Sequence, residues 1–167
     1  MSLNVTLQKI IENGSKRIRE IDGETMLVKP SDEKWSKNEI LGHLVDSAII
    51  NYQRIMLAQL KEDLIFDGYD QVNWVQLNGY RSRNTEEILK IWEAINTHIS
   101  QVVSTISESI MNRKTVHHNF DTISMQVLRK DEESNLHYLI WDYIFHVEHH
   151  LAQIIDGYEN MNVHVRD

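Results

Sequence analysis

The sequence predicts an all-α protein, a four-helix bundle that forms a single domain over residues 1–167 and contains two longer connections. One proline and six glycines in 167 residues leave few breaks, which favours long helices. Apolar residues recur at helical spacing in four separate stretches. With 41% apolar and 25% charged residues, the composition is that of an ordinary globular protein with a hydrophobic core.

The first two predicted helices have recognisable ends. The first spans about residues 3–21, and the pair Asp22–Gly23 ends it. The second begins after Ser36, which together with Glu39 forms the Ser-x-x-Glu pattern of a capping box. Its apolar positions continue to about Leu60.

The third and fourth helices lie in the second half of the chain. The third begins at Asn84 or Thr85, both good N-cap residues, and carries its apolar face to about Ile106. The fourth spans about residues 134–155. Gly157 follows at the place where a left-handed residue commonly ends a helix.

Two longer connections join these helices. In the first, residues 66–70 are predicted to form a loop and residues 72–80 a short helix that contains Trp74. In the second, from about residue 111 to residue 133, the pattern is irregular and predicts no internal structure. Four helices with two such connections still form a bundle.

The composition excludes several classes of function. The chain has no cysteine, which excludes disulfides, thiolate nucleophiles and cysteine-ligated metal sites. A formal net charge of −8 and scattered Lys and Arg residues argue against nucleic acid as a partner. The N-terminus turns polar too early for a signal peptide, and no stretch stays apolar over the ~18 residues that a membrane helix needs. We therefore expect a cytoplasmic protein that binds neither nucleic acid nor a membrane.

Three of the nine histidines fall on the bundle-facing stripes of two predicted helices. His146 and His150 are four residues apart on the fourth helix, so both rings project from one face. His43 occupies the corresponding stripe of the second helix. Burying three imidazoles costs desolvation unless each has a partner, and one metal ion supplies all three partners at once. The alternative is that each is a hydrogen-bonded core histidine.

The chemistry of this ligand set indicates a catalytic rather than a structural metal. Three protein ligands leave one position open, as in catalytic zinc sites. Nitrogen ligands favour zinc or nickel, and iron, manganese and copper are also compatible. No HExxH, no Glu-x-x-His and no GxSxG pattern occurs, which argues against the corresponding metalloproteases, di-iron bundles and serine hydrolases. The spacing therefore predicts one divalent metal on His43, His146 and His150.

Four blocks of the sequence form a recognisable set: Lys-Trp-Ser at residues 34–36, Gly-His-Leu-Val-Asp-Ser at 42–47, Tyr-Asp at 69–70 followed by Trp74, and the histidine-rich segment 143–154. Together they resemble the DinB/YfiT-like superfamily of metal-binding four-helix proteins. The YfiT-like branch, whose members are described as metal-dependent hydrolases, is the most similar. The blocks reach from the second helix to the last.

The resemblance implies the same metal ligands as the stripe argument. In that family, one histidine of the second helix and the first and last histidines of an H-x-x-H-H block bind the metal. These positions correspond here to His43, His146 and His150. The chain departs from the family between residues 111 and 129, where Val-His-His-Asn-Phe stands at 116–120 in place of a more regular stretch. The departure affects the expected pocket wall rather than the ligands.

Four further residues are candidates for roles beside the metal. Asp46, three residues after His43, could accept a hydrogen bond from a ligand imidazole, or it could pair with a Lys or Arg of a neighbouring helix. Arg54 could bind an anionic group of a substrate or thiol cofactor, or form a salt bridge across the bundle. Trp74 and Tyr143 are expected in the core, where either could narrow a pocket mouth.

The remaining polar and aromatic candidates are expected to be structural. Glu148 is predicted to be solvated surface, with a carboxylate in the outer shell of the metal as the alternative, and His149 to face outward or lie at the rim. His117 and His118 are predicted to be exposed loop residues. Trp35 is expected to pack against the start of the second helix.

Three functions remain open at this point. A metal with an open position activates water, which favours a hydrolase acting on a small molecule. The resemblance also implies a metal-dependent S-transferase that uses a low-molecular-weight thiol such as bacillithiol, a role that needs no protein cysteine. The third alternative is a non-catalytic metal-binding module of a stress response. Apolar helix faces also make a homodimer plausible.

Overall fold

Four long helices and several short ones make up the computed structural model, which describes residues 2–161. A 3₁₀ turn, Tyr80–Ser82, follows the short helix Gln71–Asn78. In chain order the helices of the described part are α1 Leu3–Arg19, α2 Gly23–Leu27, α3 Lys37–Leu60, α4 Gln71–Asn78, α5 Thr85–Thr105, α6 Glu108–Met111, α7 Phe120–Ile123 and α8 Leu136–Ile154.

The four long helices pack as a closed ring. Helix α1 packs against α5 and α8, and α3 packs against the same two helices. Helices α1 and α3 therefore lie on one diagonal of the bundle, and α5 and α8 on the other. The prediction of an all-α four-helix bundle with two longer connections is confirmed. No helix among residues 2–161 is long and apolar enough to cross a bilayer.

The predicted helix ends depend on side-chain caps that the structure contains. The Glu39 amide donates to Ser36 Oγ at 3.2 Å, and the Ser36 amide donates back to Glu39 Oε2 at 2.8 Å. Asn84 is the N-cap of α5, because its side chain accepts from the Glu87 amide at 3.2 Å. Gly157 adopts φ +66°, the left-handed conformation expected after α8.

The connections contain more structure than the periodicity predicts. Asp22, expected to end the first helix, caps the additional helix α2 by accepting from two backbone amides. The second connection includes α6, α7 and an antiparallel bridge between Thr115 and Ser134. A parallel bridge between Leu64 and His118 ties the two connections together. The two bridges join residues far apart in sequence, so no local pattern predicts them.

Gly42 allows a close approach beside the helix that carries His43. A Cβ atom at this position would lie 2.1 Å from the ring of Tyr80, well inside van der Waals contact. Glycine therefore lets the buried Tyr80 pack flat on α3 one residue before the histidine. The packing of the first connection against α3 depends on this missing side chain.

Candidate metal centre

The three predicted histidines meet where α3 and α8 pack against each other. His43 comes from the first half of α3, whose start is set by the capping box. His146 and His150 come from consecutive turns of α8. Their side-chain nitrogens supply one ligand atom each within 4.8 Å of one another, so the cluster could hold a metal ion.

The Nε2 atoms of two of the rings lie close together. His43 Nε2 lies 3.1 Å from His146 Nε2. The ring of His150 packs edge-on against both, with centroids 4.7 Å from His43 and 4.5 Å from His146. Two nitrogens bound to zinc at 2.0–2.1 Å with a tetrahedral angle are about 3.3 Å apart. The nitrogen pair is therefore already near the separation that a tetrahedral ion requires.

Gln153 orients His150 within the cluster. Its Oε1 lies 2.8 Å from His150 Nδ1, and its Nε2 lies 3.0 Å from His149 Nε2. Since an amide oxygen only accepts, Nδ1 of His150 carries the proton and Nε2 keeps its lone pair. This arrangement is the one that histidine ligands of metals usually show.

The other two rings also have an oxygen beside Nδ1. Tyr69 Oη lies 3.4 Å from His43 Nδ1, and Ser47 Oγ lies 3.4 Å from His146 Nδ1. Both contacts are long and join groups that can donate or accept. They are compatible with the tautomer that leaves each Nε2 free for a metal.

Burial keeps the three rings neutral. It lowers the pKa of His43 to about 4, with a smaller contribution from the charge of His150. Burial also lowers the pKa of His146 well below its usual value, with the neighbouring charges adding to the effect. The pKa of His150 is lowered as well, again chiefly by burial. Since metals bind the neutral imidazole, the donor set fits a divalent ion at neutral pH.

A cavity of about 460 Å³ lies beside the cluster. His146 and His150 form part of its wall, and α3 contributes polar groups that include Ser47 and Asn51. The segment 122–125, within the connection for which no structure is predicted, forms another part of the wall. The cluster is therefore reachable by a small molecule rather than sealed in the core.

Asp46 has partners other than those considered from the sequence. Its Oδ1 accepts from the Tyr80 hydroxyl at 2.8 Å and from Asn78 Nδ2 at 3.1 Å. Within the described residues it has neither a hydrogen bond to His43 nor an ion pair with a Lys or Arg. Its carboxylate instead anchors the first connection to α3, close to the histidine but not on it.

Arg54 and Tyr143 line the cavity, whereas Trp74 does not. Arg54 Nη2 donates to the carbonyl oxygen of Asp67 at 2.9 Å, and within residues 2–161 it forms no salt bridge. The Tyr143 hydroxyl donates to Asn96 from a fully buried position. Trp74 packs edge-on against Tyr69 with ring centroids 5.0 Å apart, so it supports a cavity residue from behind.

Sequence reasoning missed three residues of this site. Trp35, expected to pack at the start of α3, lines the cavity with its ring centroid 5.2 Å from that of His43. Tyr69 belongs to a connection with no periodicity, so nothing but the family resemblance marked it. Gln153 was available from its position three residues after His150 on the same stripe, a spacing that places side chains in contact.

Two predicted surface residues are buried. Glu148 is 2% exposed and accepts from the Met161 amide, because the segment after α8 returns along the helix. His118 is 6% exposed and lies 2.8 Å from the carbonyl oxygen of Glu132 through its Nε2. Both predictions of exposure are therefore wrong, whereas His117 is exposed as expected.

The fold and the cluster define a class: a four-helix bundle with a three-histidine site, able to hold a metal ion, at the wall of a cavity. The sequence model of the DinB superfamily matches residues 7–154. The chain belongs to this superfamily, which confirms the resemblance seen in the sequence.

Relatives of the chain are named for metal-dependent hydrolysis. A protein of Oceanobacillus iheyensis, provisionally named a metal-dependent hydrolase, is 27% identical over 150 residues, which are 87% of this chain and 80% of that protein. YfiT of Bacillus subtilis, named in the same provisional way, is 20% identical over 142 residues, which are 84% of this chain and 74% of YfiT.

A solved structure shares the fold. It is that of YfiT from Bacillus subtilis, described as a probable metal-dependent hydrolase with an unusual four-helix bundle topology. The match has a TM-score of 0.72 at 17% identity and covers 91% of this chain and 81% of that one. At this identity the similarity establishes the architecture of the bundle.

Proposed function

We propose that the protein is a metal-dependent hydrolase that acts on a small molecule, with one divalent metal held by His43, His146 and His150. The observation that carries the proposal is the convergence of three neutral imidazoles, two of which line a cavity. The hydrolase names of the relatives support the reaction class. Zinc or nickel suits an all-nitrogen set best, and iron, manganese and copper are the other candidates.

A divalent metal on three imidazoles supplies Lewis acidity and lowers the pKa of water towards about 7. The chain supplies the groups around it. Tyr69 keeps its phenolic proton, because burial raises its pKa well above the usual value, so it can donate a hydrogen bond from a position beside His43.

Asp142 is the proposed proton acceptor. It is the carboxylate that lines the cavity, and burial raises its pKa, which favours proton uptake. Its two oxygens also accept from the backbone amides of Gln126 at 2.7 Å and Met125 at 3.1 Å, so the group is held in place. Asp46 and Glu148 do not line the cavity, and Asp46 is proposed only to position the first connection.

A second candidate is a metal-dependent S-transferase that uses a low-molecular-weight thiol. It is favoured by a polar cavity that contains a buried arginine and by a chain without any thiol of its own. Coordination to a metal removes a thiol's proton and makes it a nucleophile. A protein that lacks cysteine must receive such a sulfur from a second small molecule.

Elemental analysis of the purified protein tests the metal, and paired activity assays test the reaction. We expect about one equivalent of zinc or nickel, and metal-dependent hydrolysis within a panel of small esters and amides. The Asp142→Asn variant is expected to lose turnover while retaining the metal, and Asp131→Asn on the exposed surface is the control.

The same panel separates the alternatives. Conjugation of an electrophile with added thiols, without hydrolysis, would replace the hydrolase by the transferase. A metal that raises the melting temperature, with no turnover in either assay, would favour a non-catalytic module. Absence of any bound metal in the purified protein would refute all three.

A further inference from the structure

The cavity beside the histidines has an unusual distribution of charge. Among the described residues that line it, Arg54 is the only lysine or arginine and Asp142 the only acid. Arg54 is 8% exposed, although the chain as a whole is acidic with a net charge of −8. A buried guanidinium therefore lies in the same cavity wall as two of the three proposed metal ligands.

The charge of Arg54 is not neutralised by any contact with a carboxylate of the described residues. Its Nη2 donates to the carbonyl oxygen of Asp67 at 2.9 Å, and its buried Nε has no hydrogen-bond partner in the described part of the chain. No carboxylate among residues 2–161 comes within salt-bridge distance of it. Burying a charge is costly unless an opposite charge and hydrogen bonds compensate for it. Burial accordingly lowers the pKa of Arg54, although arginine remains charged.

Asp142 does not serve as the missing partner. Its oxygens accept from the amides of Met125 and Gln126, and its attraction on Arg54 acts at longer range. One acid opposite one arginine would also leave the cavity positive once a divalent metal is bound. An anionic ligand would supply both a counter-charge and acceptors for the unused N–H groups.

We propose that Arg54 binds an oxyanion group, a carboxylate or a phosphate, of the small molecule on which the metal acts. The proposal rests on the proposed metal-dependent function, because it concerns the same small molecule. One end of that molecule would lie at the metal, and the other end at Arg54. The guanidinium presents a planar set of donors that matches the two oxygens of such a group, and a lysine ammonium lacks this geometry.

The helix geometry sets the scale of the ligand. Ser47, which contacts His146, and Arg54 lie seven residues apart on α3, or about 10 Å along the helix axis. Arg54 is close enough to His146 for its charge to lower the pKa of that imidazole. The oxyanion is thus several bonds away from the group that reaches the histidines. Cationic ligands are disfavoured, because the metal and the arginine would both repel them.

Titration of metal-depleted protein with inorganic phosphate and with succinate tests the proposal. Calorimetry at pH 8 and constant ionic strength keeps the imidazoles neutral and removes the metal as a competing anion site. We expect both probes to bind, and Arg54→Gln to weaken binding about ten- to a hundredfold. Arg81→Gln, at an exposed position, is the matched control and should bind as the parent protein does.

A second variant protects the test against a folding artefact. Arg54→Lys retains the charge without the planar donors and should recover part of the affinity, and circular dichroism confirms that all variants are folded. Equal binding by the parent protein and Arg54→Gln would overturn the proposal, as would a failure of both anions to bind the parent protein.

A matched pair of substrates separates this proposal from the hydrolase proposal. With metal-loaded protein, an ester that carries a terminal carboxylate is compared with its neutral methyl-ester analogue. We expect the acidic ester to have the higher kcat/KM, and Arg54→Gln to remove the difference mainly through KM. If neither ester is cleaved while the metal-depleted protein still binds succinate, the hydrolase proposal fails and the oxyanion site stands. If both are cleaved equally by parent and variant, the oxyanion site fails and hydrolysis stands.

Discussion

The two sides of this bundle are built from helices of similar length but differ in the residues that line their contacts. Where α1 packs against α5, buried apolar side chains predominate, with Leu7 and Ile10 on one helix and Trp92 on the other, and Arg19 pairs with Glu86 and Glu93 at the exposed edge. Where α3 packs against α8, the contact includes His43 and His146 and opens into a cavity. The comparison indicates that the α1–α5 side contributes mainly to stability, whereas the α3–α8 side also holds the proposed metal site.

Removing one ligand should produce the largest effect, and only on the α3–α8 side. We expect His146→Ala to lower metal affinity by more than about a hundredfold, because two imidazoles cannot replace three. The metal-free variant should remain about as stable as the metal-free parent. The substitution removes a buried imidazole whose desolvation opposes folding, and this offsets the lost packing. Metal titration together with denaturant unfolding measures both quantities.

His117→Ala is the control for that change, because His117 is exposed and outside the cluster. Equal metal affinity in His146→Ala and the parent protein would show that the ion does not bind at this cluster. The α3–α8 side would then no longer differ from the α1–α5 side in binding a metal.

A substitution on the apolar side should have the opposite signature. Leu7 is fully buried on α1, so Leu7→Ala should lower the free energy of unfolding by about 2–5 kcal/mol through lost burial and an incompletely filled cavity. Metal stoichiometry should not change. Leu77→Ala, at a side chain that is 85% exposed, provides the comparison and should be nearly neutral. A loss of metal in folded Leu7→Ala would show that the two sides are coupled.

Acid should weaken the metal-free protein through the α3–α8 side. The pKa of His43 is about 4 in the folded protein, against 6.5 for the ordinary group, so the unfolded chain takes up the proton first. The contribution of this group is therefore complete above pH 6.5 and is lost as the pH falls from 6.5 to about 4. Urea midpoints of metal-depleted protein across this range measure the slope.

His43→Gln should flatten that pH dependence, because glutamine does not titrate. The same slope in the variant and the parent protein would mean that other groups account for the acid sensitivity. The Leu7→Ala variant should keep the parental slope at a lower overall stability, since no titrating group is removed on the apolar side.

The smallest expected effect concerns the orientation of a ligand. Gln153→Ala removes the acceptor beside His150 Nδ1 and should weaken metal binding about ten- to a hundredfold. Protein stability should hardly change, because Gln153 is exposed. Gln101→Ala, on the exposed face of α5, is the matched control. Unchanged metal affinity in Gln153→Ala would mean that the packing of α8 alone fixes the orientation of the His150 ring.

Local chemistry explains why the helices and the histidine cluster could be predicted. The capping box at Ser36, the N-cap at Asn84 and the left-handed Gly157 act within one turn of chain, so the sequence contains the whole interaction. The stripe that joins His146 and His150 is likewise a property of one helix. The proximity of His43 to these two histidines could be predicted once both helices were assigned to one bundle.

The wall of the cavity could not be predicted, because its contacts join distant parts of the chain. Trp35 and Tyr69 lie outside the long helices, where no periodicity indicates a direction. The burial of Glu148 depends on the segment after α8, and that of His118 on a bridge to Leu64. None of these partners is a sequence neighbour of the residue it covers.

By itself, the sequence determined the four helices, their ends and the three imidazoles able to share an ion, because periodicity and capping depend on neighbours within a few residues. Only the tertiary structure decided which polar groups surround those imidazoles, since that depends on how the two long connections fold over α3 and α8. Arg54 shows the division most clearly. Its position on the stripe follows from the residue spacing alone, but its burial without a carboxylate partner among residues 2–161 is a property of the assembled bundle.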